Sequence, residues 1–118
     1  MNQGLYFAEM TKMRKLAMLP KFRSRFFSNQ EMKFLMSKNF PEYTIGEMFC
    51  GKLAFKKAMG TQFMGCKLNE VSILADYSGS YYISLCGHTK LRLDNQKRKA
   101  YICCAHNKMM VMSMVNIE

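Results

Sequence analysis

The chain has 118 residues, of which 49% are hydrophobic; that is enough for a single domain with one core and excludes a disordered polymer. Eighteen basic residues against eight acidic ones give a net charge of +10, which predicts an anionic partner. No run of about 18 apolar residues occurs, so no membrane-spanning helix is expected, nor does the N-terminus have the order of a cleavable signal.

Gly4 to Phe7 reads as a first strand, and Met10, Met13, Leu16 and Ala17 then mark the apolar face of a helix. Pro20 predicts a break. Lys12, Arg14, Lys15, Lys21, Arg23 and Arg25 form the densest charge cluster, with no acidic residue between Glu9 and Glu31. Such a cluster is either a solvated face or a docking surface for an acidic partner. Ser28 and Glu31 are spaced as a capping box, opening a helix with Met32, Leu35 and Met36 on one face. Asn39 to Tyr43, with Pro41, reads as a turn.

Thr44 to Gly60 is the central helix of the sequence. Thr44 and Glu47 are spaced as a second capping box, and Gly60 supplies the stop. Phe49 and Leu53, with Cys50 and Ala54, give an apolar face, while Lys52, Lys56 and Lys57 make another face basic. A basic helix running into Gly60-Thr61 can hold phosphate through side chains and loop amides. The alternative is a surface helix with solvated lysines.

Gly65 to Asn69 reads as a loop. Val71–Ala75 and Tyr81–Cys86 read as a hairpin around a turn at Asp76–Ser80. Lys90 to Lys99 is weakly patterned, a poor helix followed by a loop. Ala100–Cys104 and Met109–Ile117 make a second hairpin. Strand, helices and then mostly antiparallel strands define an α+β class, with the whole of 1–118 as one domain. The five cysteines, Cys50, Cys66, Cys86, Cys103 and Cys104, include no C-x-x-C pair. They read as reduced core residues of a cytoplasmic protein, and their spacing from His88 and His106 speaks against zinc. His106 read alone is a turn residue capping a hairpin. The basic balance leaves nucleic acid open, but no aromatic residues interleave with the charges in an RNA-binding pattern, so that partner is not expected.

Five stretches resemble one family. Phe49-Cys50-Gly51-Lys52-Leu53-Ala54-Phe55-Lys56-Lys57-Ala58-Met59-Gly60-Thr61 is similar to F-A-A-K-E-A-x-x-K-A-L-G-T of the holo-acyl-carrier-protein synthases, the small type of 4′-phosphopantetheinyl transferase. Gly4 to Met10 resembles the family's G-x-D-I-V-E-I, and Arg25 to Glu31 its R-x-F-[ST]-x-x-E. Ser78 to Gly87 resembles S-G-K-P-x-x-x-L-x-G, and Ile102 to Lys108 resembles V-S-I-S-H-T-K. The resemblance implies a transferase-like α+β fold: a small antiparallel sheet, a long central helix and a homotrimer with active sites between subunits. It implies transfer of the phosphopantetheine arm of coenzyme A to a serine of acyl carrier protein, in fatty acid synthesis. Lys52 and His106 are then the expected catalytic residues. Lys52, Lys56, Gly60, Thr61, His106 and Asn107 are expected at coenzyme A, and Lys12, Arg14, Lys15 and Arg23 at the carrier protein.

The resemblance also implies magnesium, held in the family by an aspartate and a glutamate. Tyr6 and Leu53 occupy those positions here, and neither is a magnesium ligand. Glu9 is the one acidic candidate nearby. Met48 stands for an arginine that meets phosphate, Gln62 for a glycine, and Cys103 and Ala105 for serines. Two readings follow: a transferase with a degenerate magnesium site, or a non-catalytic relative that binds coenzyme A, its product or acyl carrier protein.

Overall fold

A computed structural model describes residues 2–118. The elements in order are β1 (Asn2–Glu9), α1 (Met10–Ala17), α2 (Pro20–Phe26), α3 (Asn29–Ser37) and α4 (Glu42–Met59). Two 3-10 turns, Gly60–Phe63 and Leu68–Glu70, lead into β2 (Val71–Ala75) and β3 (Tyr81–Leu85). Then come α5 (Gly87–Asn95), β4 (Ala100–His106) and β5 (Met110–Ile117). The expected α+β class and both hairpins are present. The single expected sheet is instead two antiparallel sheets, ordered β1-β5-β4 and β2-β3.

Helix α4 is the axis of the molecule. It packs against β1, β5, β4 and β2, and α1 closes another side. A helix covered on several faces must be apolar nearly all round. Ile45, Met48, Cys50, Ala54, Phe55, Ala58 and Met59 are buried accordingly. Small residues set the distance of closest approach. A Cβ on Gly4 would lie 2.1 Å from the Ala54 carbonyl oxygen, so only glycine lets β1 run this close to α4.

Both ends of α4 differ from the sequence expectation. The helix starts two residues before Thr44, with Pro41 as N-cap and no side-chain cap. Glu47 is therefore inside the helix and points into the protein. Gly60 does end the helix with positive φ (57°), but its ψ of −131° sends the chain into a 3-10 turn rather than a left-handed cap. By contrast, the Ser28 capping box is formed, with Ser28 Oγ accepting from Glu31 N and the Glu31 carboxylate accepting from Ser28 N. On α3, Leu35 is buried but Met36 is exposed, so Met36 lies off the expected apolar face. Of the cysteines expected in the core only Cys50 is buried; Cys66 and Cys104 are half-buried, and Cys86 and Cys103 are exposed, Cys103 on the outer face of β4. Pro20 stands in the first turn of α2, where its missing N–H costs nothing, so it begins a helix as well as breaking one. The weakly patterned stretch near Lys90 belongs to α5, which begins earlier, at Gly87.

Strand alternation divides the β1-β5-β4 sheet into two faces. Gly4, Tyr6 and Ala8 turn toward α4. Leu5 and Phe7 turn away, opposite Met114 and Met112, which in turn face Cys103 and Ala105. Phe7 is 60% exposed and Tyr101 52%, so this outer face is a contiguous apolar surface.

Candidate active site

The expected site residues fall into two groups at opposite halves of α4. Lys56, Gly60 and Thr61 lie at its C-terminal end and are exposed. Lys56 Nζ stands 5.9 Å over the Phe63 ring, and Gly60 has no atom within 4 Å of where a Cβ would be, so this turn is open to a ligand. Lys57 joins this group, its Nζ 5.0 Å over the Tyr6 ring. The site expectation left Lys57 out, although its place one turn beyond Leu53 marks it.

His106, at the end of β4, lies beside the N-terminal half of α4. Its Nδ1 is 3.4 Å from Glu47 Oε2, and its ring stacks on Tyr43 with centroids 4.1 Å apart. From Glu47 to Gly60 is roughly 20 Å along the helix axis. One subunit therefore does not bring its own His106 to its own Lys56 and Thr61. Asn107, expected at the ligand, is engaged in its turn: its side-chain oxygen accepts from Met109 N and Met110 N at 2.8 Å each.

Lys52 corrects the expectation most sharply. Its side chain is fully buried, with Nζ 2.5 Å from Glu31 Oε1. The other Glu31 oxygen accepts from Ile73 N at 3.0 Å, and Ser28, capped by Glu31, meets Ser72 at 2.6 Å between hydroxyl oxygens. Burial lowers the Lys52 pKa and raises that of Glu31, and the attraction between the two opposes both shifts. An ammonium sealed inside the subunit and neutralised by a carboxylate cannot reach a phosphate. Lys52 ties α4 to α3 and β2 instead.

The positions at which the resemblance places magnesium have the wrong chemistry. Tyr6 packs edge-on to Phe49 at 6.0 Å, and Phe49 is 4.9 Å from Phe26, with Leu53 one turn along from Phe49. A hard cation needs oxygen donors, and this is a hydrocarbon and aromatic cluster capped by an ammonium. Glu9 falls on the other face of β1 from Tyr6 by strand alternation, so it does not complete a ligand set there. Among the described residues no three His, Cys, Asp or Glu side chains converge as a cation site. The residues present do not fit magnesium.

Two clefts flank Tyr81. One, of 720 Å³, is lined by Phe34, Lys38, Thr44, Asp76, Tyr81 and Tyr82; the other, of 420 Å³, by Glu47, Ser80, Tyr81, Ile102, Cys103 and Cys104. Glu47, Tyr81 and Tyr43 were not expected at a site. Glu47 read as a capping residue, and only the third dimension shows it beside His106. Of the expected carrier-facing residues, Lys12 and Lys15 are exposed. Arg14 is exposed too but paired to Glu42 at 2.9 Å. Arg23 is half-buried, its guanidinium 4.3 Å over the Phe40 ring.

The central helix, the two antiparallel sheets and the helical N-terminal half define a 4′-phosphopantetheinyl transferase fold. The crystal structure of Helicobacter pylori holo-[acyl-carrier-protein] synthase in complex with coenzyme A superimposes with a TM-score of 0.79, at 19% identity, over 98% of this chain and 99% of that one. The chain belongs to the holo-[acyl-carrier-protein] synthase family. It is 32% identical over 88 residues to the synthase of Alkaliphilus oremlandii, spanning 74% of this chain and 72% of that protein. It is 28% identical to that of Treponema denticola over 98% of this chain and 95% of that protein. No protein-family model matches it.

Proposed function

We propose that the chain transfers the 4′-phosphopantetheine group from coenzyme A to a serine of apo-acyl carrier protein, as a cytoplasmic homotrimer of single-domain subunits. The observation that carries this reading is family membership, seen in relatives that match over 98% and 74% of the chain. Coenzyme A is the ligand of a synthase of the same fold. It is a polyanion, and a chain of net charge +10 with an open lysine-flanked turn at Gly60-Thr61 suits it.

The distance between the two groups along α4 supports an active site shared between copies. The Lys56, Lys57, Gly60 and Thr61 end of one subunit meets the His106 end of another, and the ligand spans the joint. The exposed Leu5, Phe7, Tyr101 and Met112 face is the apolar surface that such an assembly would cover. In the transfer, the carrier serine Oγ attacks the phosphorus bearing the pantetheine arm. The pyrophosphate P–O bond breaks and adenosine 3′,5′-bisphosphate leaves. The magnesium site is degenerate, so the charge developing on the leaving phosphate falls to the ammonium groups at the end of α4. Exposed Lys12 and Lys15 on α1 face the acidic carrier protein, with Arg14 freed from Glu42 on docking.

A second reading, a non-catalytic relative that binds coenzyme A, its product or the carrier, is favoured by the Tyr6–Phe49 cluster at the metal positions. One experiment separates them. Calorimetry with coenzyme A, with and without magnesium, is followed by mass spectrometry of apo-acyl carrier protein after incubation. The expected result is binding in both conditions and slow transfer, faster in Tyr6→Asp/Leu53→Glu with magnesium. No binding in either condition overturns both readings. Binding without transfer, even in the double variant, selects the second.

A further inference from the structure

Glu47 lies at the centre of a polar cluster that packing alone does not require. It is only 8% exposed, and a carboxylate removed from water needs donors. Two other strands answer it. Tyr81 on β3 donates its hydroxyl to Oε1 at 3.0 Å, and the imidazole of His106 on β4 stands within ion-pairing distance, its Nδ1 3.4 Å from Oε2. Tyr43, one turn back on α4, lies 15° from parallel to the imidazole and fixes the plane of the ring. Burial first, and then the charge of Glu47, raise the Tyr81 pKa, so the phenol remains a donor.

The neighbouring thiols do not compete for the proton. Burial foremost pushes both Cys50 and Cys104 up to about 12. With Nδ1 turned to Glu47, the Nε2 of His106 has no hydrogen-bond partner among the described residues. The side chain is 40% exposed and borders a small cleft with Ala105, Asn107 and Met112, while its partner Glu47 lines the Tyr81 and Cys104 cleft.

We propose that Glu47 is a positioning residue that holds His106 as the Nδ1–H tautomer, leaving Nε2 to accept the proton of the attacking serine hydroxyl. This rests on the transfer reading above. As the Oγ–P bond forms, the hydroxyl proton passes to Nε2. The electron pair of the breaking P–O bond leaves with adenosine 3′,5′-bisphosphate, whose phosphate needs no proton near neutral pH. The imidazolium that results is stabilised by Glu47 and returns its proton to water after product leaves. A buried carboxylate on Nδ1 does this work for imidazole bases in serine hydrolases, where an amide in its place favours the wrong tautomer and lowers kcat about 10⁴-fold.

The test combines nitrogen-15 NMR of the imidazoles with kinetics. His88→Gln leaves His106 as the one ring to observe. At about pH 8.5, where an ordinary histidine is neutral, the wild-type ring is expected protonated at Nδ1, and Glu47→Gln at Nε2. With coenzyme A and apo-acyl carrier protein, Glu47→Gln is expected to lower kcat roughly 100-fold while KM for coenzyme A moves less than about twofold. Glu47→Asp restores part of the loss, and Tyr81→Phe, which removes the second donor to Glu47, costs less than Glu47→Gln. A wild-type ring protonated at Nε2 overturns the proposal, as does a Glu47→Gln kcat within about twofold of wild type. Wild type that binds coenzyme A yet transfers nothing overturns the proton-acceptor role. Failure to bind coenzyme A at all, read by calorimetry, overturns the function reading instead.

Discussion

Lys52 sits where no water reaches it, and its partner Glu31 is equally sealed. Desolvating two opposite charges costs more than ordinary pairing returns unless the remaining valences are met. Here they are met on the Glu31 side by Ile73 N and Ser28 N, so the carboxylate joins three segments at once. Removing one partner leaves the other charged and buried. Lys52→Met is therefore expected to destabilise the fold by about 3–5 kcal/mol in urea titration. Glu31→Gln/Lys52→Met, which removes both charges, is expected to recover more than half of that. A Lys52→Met protein of wild-type stability would show that the pair carries no such load. This is also why the sequence misplaced Lys52. In a list of lysines at helical spacing, the buried one looks like the solvated ones, and only Glu31, 21 positions earlier, tells them apart.

At the scale of elements, legibility followed how local the signal was. The Ser28–Glu31 box closes within one turn, and it was readable because both partners lie within four residues. Thr44–Glu47 has the same spacing without the cap, because the chain before it is already helical from Glu42 and Glu47 is drawn to Tyr81 and His106 instead. The hairpins were visible from alternation and turn residues. The β1 pairing with β5, which builds the sheet, joins the two ends of the chain and leaves no short-range mark. The start of α5 was missed for a similar reason. Its first turn is held from outside the helix by Glu70, which accepts from the His88 amide at 3.0 Å and from the Thr89 hydroxyl at 2.9 Å. Burial works against the Glu70 charge, but the bonds from Thr89, His88 and Lys67 win and hold its pKa below the ordinary value.

A lowered folded pKa means that the unfolded chain binds the Glu70 proton first. The stability that Glu70 contributes is thus full above the ordinary glutamate range and lost as pH falls through its lower folded value. The expected outcome is a wild-type advantage over Glu70→Gln at pH 7 that shrinks in the acid range below the ordinary glutamate pKa. Urea midpoints across that range measure it. An advantage that grew toward low pH would contradict the assignment.

For the whole molecule, the unanswered surface is the outer face of β1-β5-β4. The alternation that turns Gly4, Tyr6 and Ala8 onto α4 necessarily turns Leu5 and Phe7 outward, and nothing among the described residues covers them. A small chain buries a limited share of its surface by folding alone, and the proposed trimer would cover an apolar sheet face of this kind with more of the same chain. On the proposed transfer reading, the separation of the His106 and Thr61 groups along α4 would give that contact a consequence for the site, with one ligand pocket taking residues from two copies. Light scattering at micromolar concentration is expected to return three times the chain mass. Phe7→Lys places a charge in the middle of the face at a position already 60% exposed, so the subunit should keep its far-ultraviolet dichroism while the mass falls to that of one chain. If the pocket is shared as proposed, coenzyme A affinity should fall with it, because each isolated subunit would retain only half of the pocket. A wild-type mass of one chain would remove the trimer. A monomeric Phe7→Lys that still bound coenzyme A with wild-type affinity would show instead that one subunit holds the whole site.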